Sequence, residues 1–303
     1  MRRPNAVIFI ILTFMTACFQ SPAEAAEKIR GVVSILPQKY FVEKIGGSAV
    51  EISVMVAPHQ NPENFEPLPS QMTALAKTDV YFAIGVPFED MWLDKFASSF
   101  PDLRIVHTDD GIAKKPMDTQ AGTHQPGPAD QAHHSHHHGA MDPHVWLSPS
   151  LVMIQARHIR DALAAIDPAR APDYEANFNR FMTELELLDQ KIKNIFATDG
   201  KKKEFMVFHP SWGYFADAYG LTQHAIEVEG KDPKAKEVKL LIDYAARHHI
   251  RSVFIQPQFS TKQAEIIARE MGARLEILDP LAEDWNENLL RAAAAIQASF
   301  EGH

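Results

Sequence analysis

The feature that most constrains the fold is an alternation of short apolar segments with amphipathic segments, which occurs twice along the chain. The first alternation extends from Ile29 to Val106 and the second from Phe205 to Ala298, with one strand of the second predicted around Ala225 to Val228. In parallel α/β folds the buried strands are short apolar runs, and each is followed by a helix that crosses back over the sheet. The sequence therefore predicts two α/β lobes with mainly parallel sheets.

The stretch between the two alternations, Asp173 to Ala197, predicts one long helix. Its apolar residues recur at steps of three and four: Tyr174, Phe178, Phe181, Leu185, Leu188, Ile192 and Ile195. At 1.5 Å per residue such a helix is roughly 36 Å long, which is enough to join two lobes. We therefore predict an N-terminal lobe over 27–170, a linking helix over 171–198 and a C-terminal lobe over 199–303.

The first 25 residues predict a signal peptide. Two arginines precede an apolar run from Ala6 to Phe19, and an Ala-x-Ala site ends at Ala25. This pattern is typical of secretory signals, and the apolar run is too short for a membrane span. We expect a periplasmic protein after cleavage; the alternative is a lipid anchor at Cys18. No second membrane-spanning run follows, and a single cysteine excludes a disulfide within the chain.

The charge of the chain argues against polyanionic partners. Its 30 Lys and Arg and 39 Asp and Glu residues give a net charge of -9, and the two signs are interspersed rather than grouped. Nucleic acids and anionic membranes attract basic surfaces. We therefore expect no nucleic-acid partner.

Residues of the types that bind metals come directly after several predicted strands or at the start of the next predicted element. They are His59, Glu63, His144, His209 and Asp279. The carboxyl ends of parallel strands form the ligand-binding edge of open α/β sheets, and each lobe contributes part of this set. Imidazole with carboxylate suits Zn(II), and a site filled by protein ligands favours binding over hydrolysis. The sequence therefore predicts a metal site in the cleft between the lobes.

The segment 114–140 has no periodicity and predicts a flexible, solvated loop. It contains six histidines: His124, His133, His134, His136, His137 and His138. Such a cluster favours a weak, low-specificity metal collector near the main site. The alternative is a solvated loop that is rich in histidine without a metal role.

Five motifs in order resemble a known family. They are Asn64-Phe65-Glu66-Pro67-Leu68-Pro69-Ser70, Asp142-Pro143-His144-Val145-Trp146-Leu147-Ser148-Pro149, Phe208-His209-Pro210-Ser211-Trp212-Gly213-Tyr214-Phe215, Gln256-Pro257-Gln258-Phe259-Ser260 and Leu278-Asp279-Pro280-Leu281. From about Ile29 to Leu290 the chain is similar to the metal receptors of bacterial zinc and manganese ABC importers, the ZnuA and TroA group. The resemblance implies two lobes bridged by a long helix, with the metal held between them.

The resemblance also implies ligands. His144, His209 and Asp279 fall on family ligand positions, and manganese-type members carry Glu where this chain has His209, so a zinc type is implied. The first ligand is less regular, because Glu63 stands where the family has His. We expect His59 to take this role; the alternative, Glu63, gives a harder ligand set that tolerates Mn(II) better.

The function implied is high-affinity capture of Zn(II) and its delivery to an ABC permease with a cytoplasmic ATPase, by a receptor that is expected to be a monomer. Three alternatives stay open: a manganese receptor, an exported metallohydrolase, and an adhesin with a structural metal. A hydrolase is disfavoured because the sequence has no His-Glu-x-x-His helix and no Gly-x-Ser-x-Gly elbow.

Overall fold

The computed structural model describes residues 27–117, 141–197, 203–227 and 233–300. The predicted signal peptide, Cys18 and the six histidines between 124 and 138 lie outside the described residues. Within the described ranges, no helix is long and apolar enough to cross a bilayer.

The first lobe is built on a four-stranded sheet in which every paired strand is parallel. Its strands are β1 (Ile29–Val33), β2 (Val50–Val54), β3 (Val80–Ala83) and β4 (Arg104–His107), and its helices are α1 (Leu36–Gly46), α2 (Pro69–Leu75) and α3 (Pro87–Ser99). The strand order is β2-β1-β3-β4. The chain leaves β1 toward β2 on one side and leaves β3 toward β4 on the other, which opens a crevice at the carboxyl ends of β1 and β3.

Two helices follow this lobe, α4 (Pro149–Ile166) and α5 (Ala171–Phe196). Helix α5 is the predicted long helix, and at 26 residues it extends roughly 39 Å. Its apolar stripe is buried at Tyr174, Phe178, Phe181, Leu185, Leu188 and Ile192. It packs against α1 and α4 of the first lobe and against the last helix of the chain.

The second lobe repeats the plan of the first. Its strands are β5 (Lys203–Val207), β6 (Leu221–Ala225), β7 (Ser252–Ile255) and β8 (Arg274–Ile277), and its helices are α6 (Gly213–Ala218), α7 (Ala235–Arg247), α8 (Thr261–Glu270) and α9 (Trp285–Phe300). The order β6-β5-β7-β8 is again parallel throughout. The fold prediction of two parallel α/β lobes joined by a long helix is confirmed.

One predicted strand was misplaced. The sequence pattern predicted a strand near 225–228, whereas β6 begins at Leu221 and pairs residue by residue with β5. Gly220 adopts a φ of 67°, which lets the chain turn from α6 directly into the strand. The polar residues Thr222, Gln223 and His224 hid the apolar signal, since β6 is an edge strand.

One apolar core extends across both lobes, and a second, smaller one lies within the second lobe between its sheet and helices α7 and α8. Buried residues form a continuous cluster from β1 and β3 through α1, α4 and α5 to α6 and α9. Two indole hydrogen bonds cross the same region: Trp146 Nε1 donates to the Pro280 carbonyl at 2.7 Å, and Trp285 Nε1 donates to the Trp146 carbonyl at 2.8 Å. The Trp285 ring also packs edge-on against Phe41 of α1. The lobes are therefore tied by α9 as well as by α5.

Candidate metal centre

The predicted ligands lie at the carboxyl ends of the two sheets. His59 and Glu63 are in the segment that follows β2, and His144 immediately precedes a short 3-10 turn that leads into α4. His209 comes just after β5 and Asp279 just after β8. The parallel sheets place all of these residues where the lobes face one another.

His209 is held from several directions. Its backbone N–H donates to Gln256 Oε1 at 3.2 Å, and Gln256 Nε2 donates to the His209 carbonyl at 2.7 Å. The imidazole stacks on Phe259 with ring centroids 4.9 Å apart. Its Nδ1 lies 3.2 Å from Glu227 Oε2, and its Nε2 lies 3.2 Å from Glu63 Oε1. The ring is only 3% exposed, so its orientation is fixed by packing.

The environment of His209 raises its pKa above the usual 6.5. Burial of the ring acts in the opposite direction, since it disfavours the charged form. The hydrogen bond to Glu227 and the negative charges of Glu63, Glu227 and Asp142 outweigh burial. An electronegative pocket of this kind also attracts a metal cation.

His144 is oriented by a buried carboxylate. Asp142 Oδ1 accepts from the His144 backbone N–H at 2.9 Å and lies 2.7 Å from His144 Nδ1. An ionised carboxylate is only an acceptor, so Nδ1 carries the ring proton and Nε2 keeps its lone pair for a metal. His209 has a carboxylate at each ring nitrogen, Glu227 at Nδ1 and Glu63 at Nε2, so both nitrogens favour a proton in the metal-free site, and a metal would displace the one on Nε2. The two ring centroids are 5.3 Å apart.

A glycine makes room for the Asp142 carboxylate. A Cβ on Gly213 would lie 3.0 Å from Asp142 Oδ2, tighter than most Cβ contacts, and 2.9 Å from Lys115 Nζ, so these side chains would have to shift. Next to it, Tyr214 Oη donates to the Asp142 carbonyl at 3.1 Å. The start of α6 therefore supports the loop that carries His144.

Asp279 and His59 line one cavity between the lobes. Its volume is about 270 Å³, and its walls come from the segments after β1 and β2 in the first lobe and after β7 and β8 in the second. Asp279 Oδ1 accepts from Gln258 Nε2 at 3.0 Å and from the Leu281 backbone N–H at 2.9 Å. His59 has a φ of 66°, an uncommon value for a residue with a side chain. The structure thus places His59 with Asp279, and Glu63 with His209.

Within the described ranges, no three His, Cys, Asp or Glu side chains are already arranged to hold a metal ion. What the fold does bring together is two buried imidazoles, each with its Nδ1 against a carboxylate, and Glu63 in contact with one of them. This donor set fits Zn(II), which takes imidazole nitrogen and carboxylate oxygen in a tetrahedral site.

Sequence reasoning missed Glu227 as a functional residue. It lies two residues beyond β6, is buried, and contacts His209 from the opposite side to Glu63. The signal available in the sequence was a charged residue close to the buried ends of two strands. Asp142 was visible in the Asp-Pro-His motif, but its contact with His144 was not predicted.

Comparisons with known proteins identify the family. The profile of the family described as "ZnuA: Zinc-uptake complex component A periplasmic" matches residues 32–298. The high-affinity zinc uptake system protein ZnuA of Bacillus subtilis is 28% identical over 285 residues, which cover 91% of this chain and 87% of that protein.

Two solved structures are similar over nearly the whole described fold. A crystal structure of ZnuA superposes with a TM-score of 0.81 at 41% identity, covering 90% of this chain and 99% of the other. A zinc-bound 138–173 deletion mutant of ZnuA gives a TM-score of 0.79 at 42% identity, with coverage of 90% and 98%. The chain therefore belongs to the ZnuA family, the periplasmic component A of zinc-uptake complexes.

Proposed function

We propose that this chain is the extracytoplasmic receptor of an ABC importer for zinc, which captures Zn(II) in the cleft and delivers it to a membrane permease with a cytoplasmic ATPase. The observation that supports this proposal most directly is the pair His144 and His209. Each lobe contributes one of these two imidazoles. Each Nδ1 contacts a buried carboxylate, Asp142 or Glu227. This arrangement fixes both rings through Nδ1, so that Nε2 is the nitrogen that would bind the metal.

The ligand set proposed is Glu63, His144, His209 and Asp279. Support for Glu63 comes from its 3.2 Å contact with His209 Nε2, the atom that would bind the metal. The sequence favoured His59, which lines the cavity with Asp279 but is exposed, whereas Glu63 contacts a ring that would bind the metal. We propose that His59 contacts the ion on its way in, and that Glu63 is the ligand that this loop supplies in the filled site.

The proposed role needs binding without catalysis. Four protein ligands fill a tetrahedral zinc site and leave no position for an activated water. We propose a monomeric periplasmic protein, released after Ala25, with lobes over 27–170 and 199–303 and the linking helix between them. The six histidines of segment 114–140 act in this proposal as a weak collector that raises the local metal concentration.

Competition titration of the metal-stripped protein with Zn(II) and Mn(II) tests the proposal. We expect one tight zinc equivalent per chain, held much more strongly than manganese. His144→Ala and His209→Ala should each weaken it strongly, and His158→Ala serves as the matched control because its ring contacts only the Asp110 carbonyl in the described structure. Equal or tighter binding of manganese would instead support a manganese receptor, which the carboxylate of Glu63 makes the second candidate.

A further inference from the structure

A second group of metal-binding side chains lies in the second lobe, on β5, β6 and α7. Glu204 and Met206 share one face of β5, and Met206 is the register partner of His224 on β6, so Glu204 and His224 point to the same side of the sheet. Tyr244 and His248 are four residues apart at the end of α7 and share one face of that helix. The helix therefore brings its last turn onto Glu204 and His224.

The contacts in this cluster converge on one oxygen. Glu204 Oε2 lies 2.8 Å from Tyr244 Oη, 2.9 Å from His248 Nδ1 and 3.2 Å from His224 Nε2. Tyr244 Oη also lies 2.9 Å from His224 Nε2, and the Tyr244 and His248 rings stack with centroids 3.9 Å apart. The side chains of His224, Glu204 and His248 are 14%, 20% and 36% exposed, so an ion could reach them from solvent.

The spacing of the donor atoms suits a transition metal. Ligands at the usual 2.0–2.1 Å from a tetrahedral zinc ion lie roughly 3.3 Å from one another. The two nitrogen-to-oxygen distances here are close to this value. Burial raises the pKa of Glu204, but the hydrogen bond from Tyr244 and the two imidazoles outweigh it and lower that pKa, which keeps the carboxylate in the ionised form that metals bind.

We propose that Glu204, His224 and His248 form a second, weaker site for Zn(II) or a similar divalent transition metal ion, distinct from the cleft. Glu204 lies near the start of β5 and His209 lies two residues beyond its carboxyl end, up to roughly 16 Å away, so the two sites do not share an ion. The three side chains are not yet arranged around a single point. Rotation of His248, the most exposed of them, completes the site.

An ion at this position would connect the end of α7 to β5 and β6. It would replace hydrogen bonds to a single oxygen by metal bonds, and so would stabilise the folded second lobe by mass action as zinc rises. With three protein ligands and a water, the site is weaker than the cleft. It fills only after the cleft is saturated. The second site is therefore occupied when zinc is abundant and is empty when zinc is scarce.

Carbethoxylation of histidines by diethyl pyrocarbonate, mapped by peptide mass spectrometry on the full chain, tests this site directly. Zn(II) is the probe, added from below one equivalent to a large excess. We expect His224 and His248 to lose reactivity only beyond one equivalent, while His107, an exposed residue of β4, stays unchanged. Unchanged reactivity of His224 and His248 in excess zinc would overturn the proposal.

Two variants separate metal binding from a plain hydrogen-bond network. Glu204→Gln should abolish the zinc protection of both histidines, and Tyr244→Phe, which keeps all three ligands, should retain it. The reverse pattern would overturn the proposal in favour of a network centred on Tyr244. Both variants should keep the tight first equivalent in competition titration, so failure of this site is distinguishable from failure of the cleft function.

Discussion

Glu63 Oε1 lies 3.2 Å from Nε2 of His209, so a loop residue of the first lobe contacts a buried imidazole of the second. This contact crosses the cleft at the atom through which His209 would bind zinc. On the far side of the ring, Nδ1 faces Glu227. The imidazole is therefore placed between two carboxylates, one that shares the metal and one that orients the ring.

The first prediction distinguishes the two candidates for the ligand from the loop after β2. Glu63→Ala should weaken zinc binding by about 100-fold or more, because zinc sites gain roughly 10–16 kcal/mol over about four ligands. His59→Ala should change the affinity far less. Competition with a chromophoric chelator measures both, and the opposite ranking would return His59 to the first coordination shell.

The second prediction concerns the carboxylates behind the imidazoles. Glu227→Gln and Asp142→Asn should each reduce zinc affinity by roughly 10- to 100-fold, since groups that orient metal-binding histidines have effects of this size. Glu276→Gln on the edge strand β8 is the matched control, because this residue pairs only with Ser252 and Arg274 in the described structure. A zinc affinity in Glu227→Gln equal to that of the control would contradict the positioning role.

The third prediction is a pH dependence. A proton on His209 competes with zinc, and its pKa is raised above 6.5, so zinc affinity should begin to fall at a higher pH than for an ordinary imidazole. In the metal-free protein, stability depends on pH in the opposite direction to zinc affinity. The stability contributed by protonated His209 is fully present below about pH 6.5 and is lost as the pH rises through the raised pKa.

Glu227→Gln provides the internal check on this pH dependence. It removes the hydrogen-bonded negative charge that raises the pKa of His209, so the fall in zinc affinity should shift to lower pH. Titrations between about pH 5 and pH 8 measure the shift. If zinc affinity falls at the same pH in Glu227→Gln as in the wild type, Glu227 does not set the protonation of His209.

The fourth prediction concerns Glu89, a buried carboxyl in the first turn of α3. Burial raises its pKa to about 7, against the hydrogen bonds from the Ser34 hydroxyl and from the backbone of Ile84 and Gly85. The folded state therefore binds the proton more tightly than the unfolded chain. Stability should fall as pH rises from about 4.5 to about 7, by on the order of 3 kcal/mol.

The matched variant for this prediction is Glu89→Gln. Its amide oxygen still accepts from the Gly85 and Ile84 N–H groups, and its NH2 donates to Ser34 Oγ, so the neutral contacts survive. Urea unfolding of the metal-free protein across this pH range should give a flatter dependence than the wild type. Parallel curves for the two proteins would rule out Glu89 as the source.

The fifth prediction tests the tie between the lobes. Trp146→Phe removes the indole N–H and leaves the Pro280 carbonyl without its 2.7 Å donor, which should reduce the free energy of unfolding by about 1–3 kcal/mol. Trp92→Phe, on α3 and half-buried, is the control. A loss no larger than that of the control would show that water replaces the indole at no cost.

The fold could be predicted because its signals are local. The seven apolar residues of α5 recur with helical spacing, and the buried strands β1, β3, β5 and β7 are apolar runs. Edge strand β6 was misplaced because its buried residues, Leu221, Gln223 and Ala225, alternate with the polar Thr222 and His224 and so form no apolar run.

The sequence by itself determined two parallel α/β lobes, a long helix between them, and metal-binding residues at the ends of particular strands, since each follows from periodicity and from the geometry of parallel sheets. Only the tertiary structure decided which side chains meet. His59 and Glu63 are four residues apart in one loop, and nothing local indicates that one lies with Asp279 and the other against His209. Contacts such as Glu227 with His209 and Trp146 with Pro280 join residues 18 and 134 positions apart, so they are fixed by packing between distant segments.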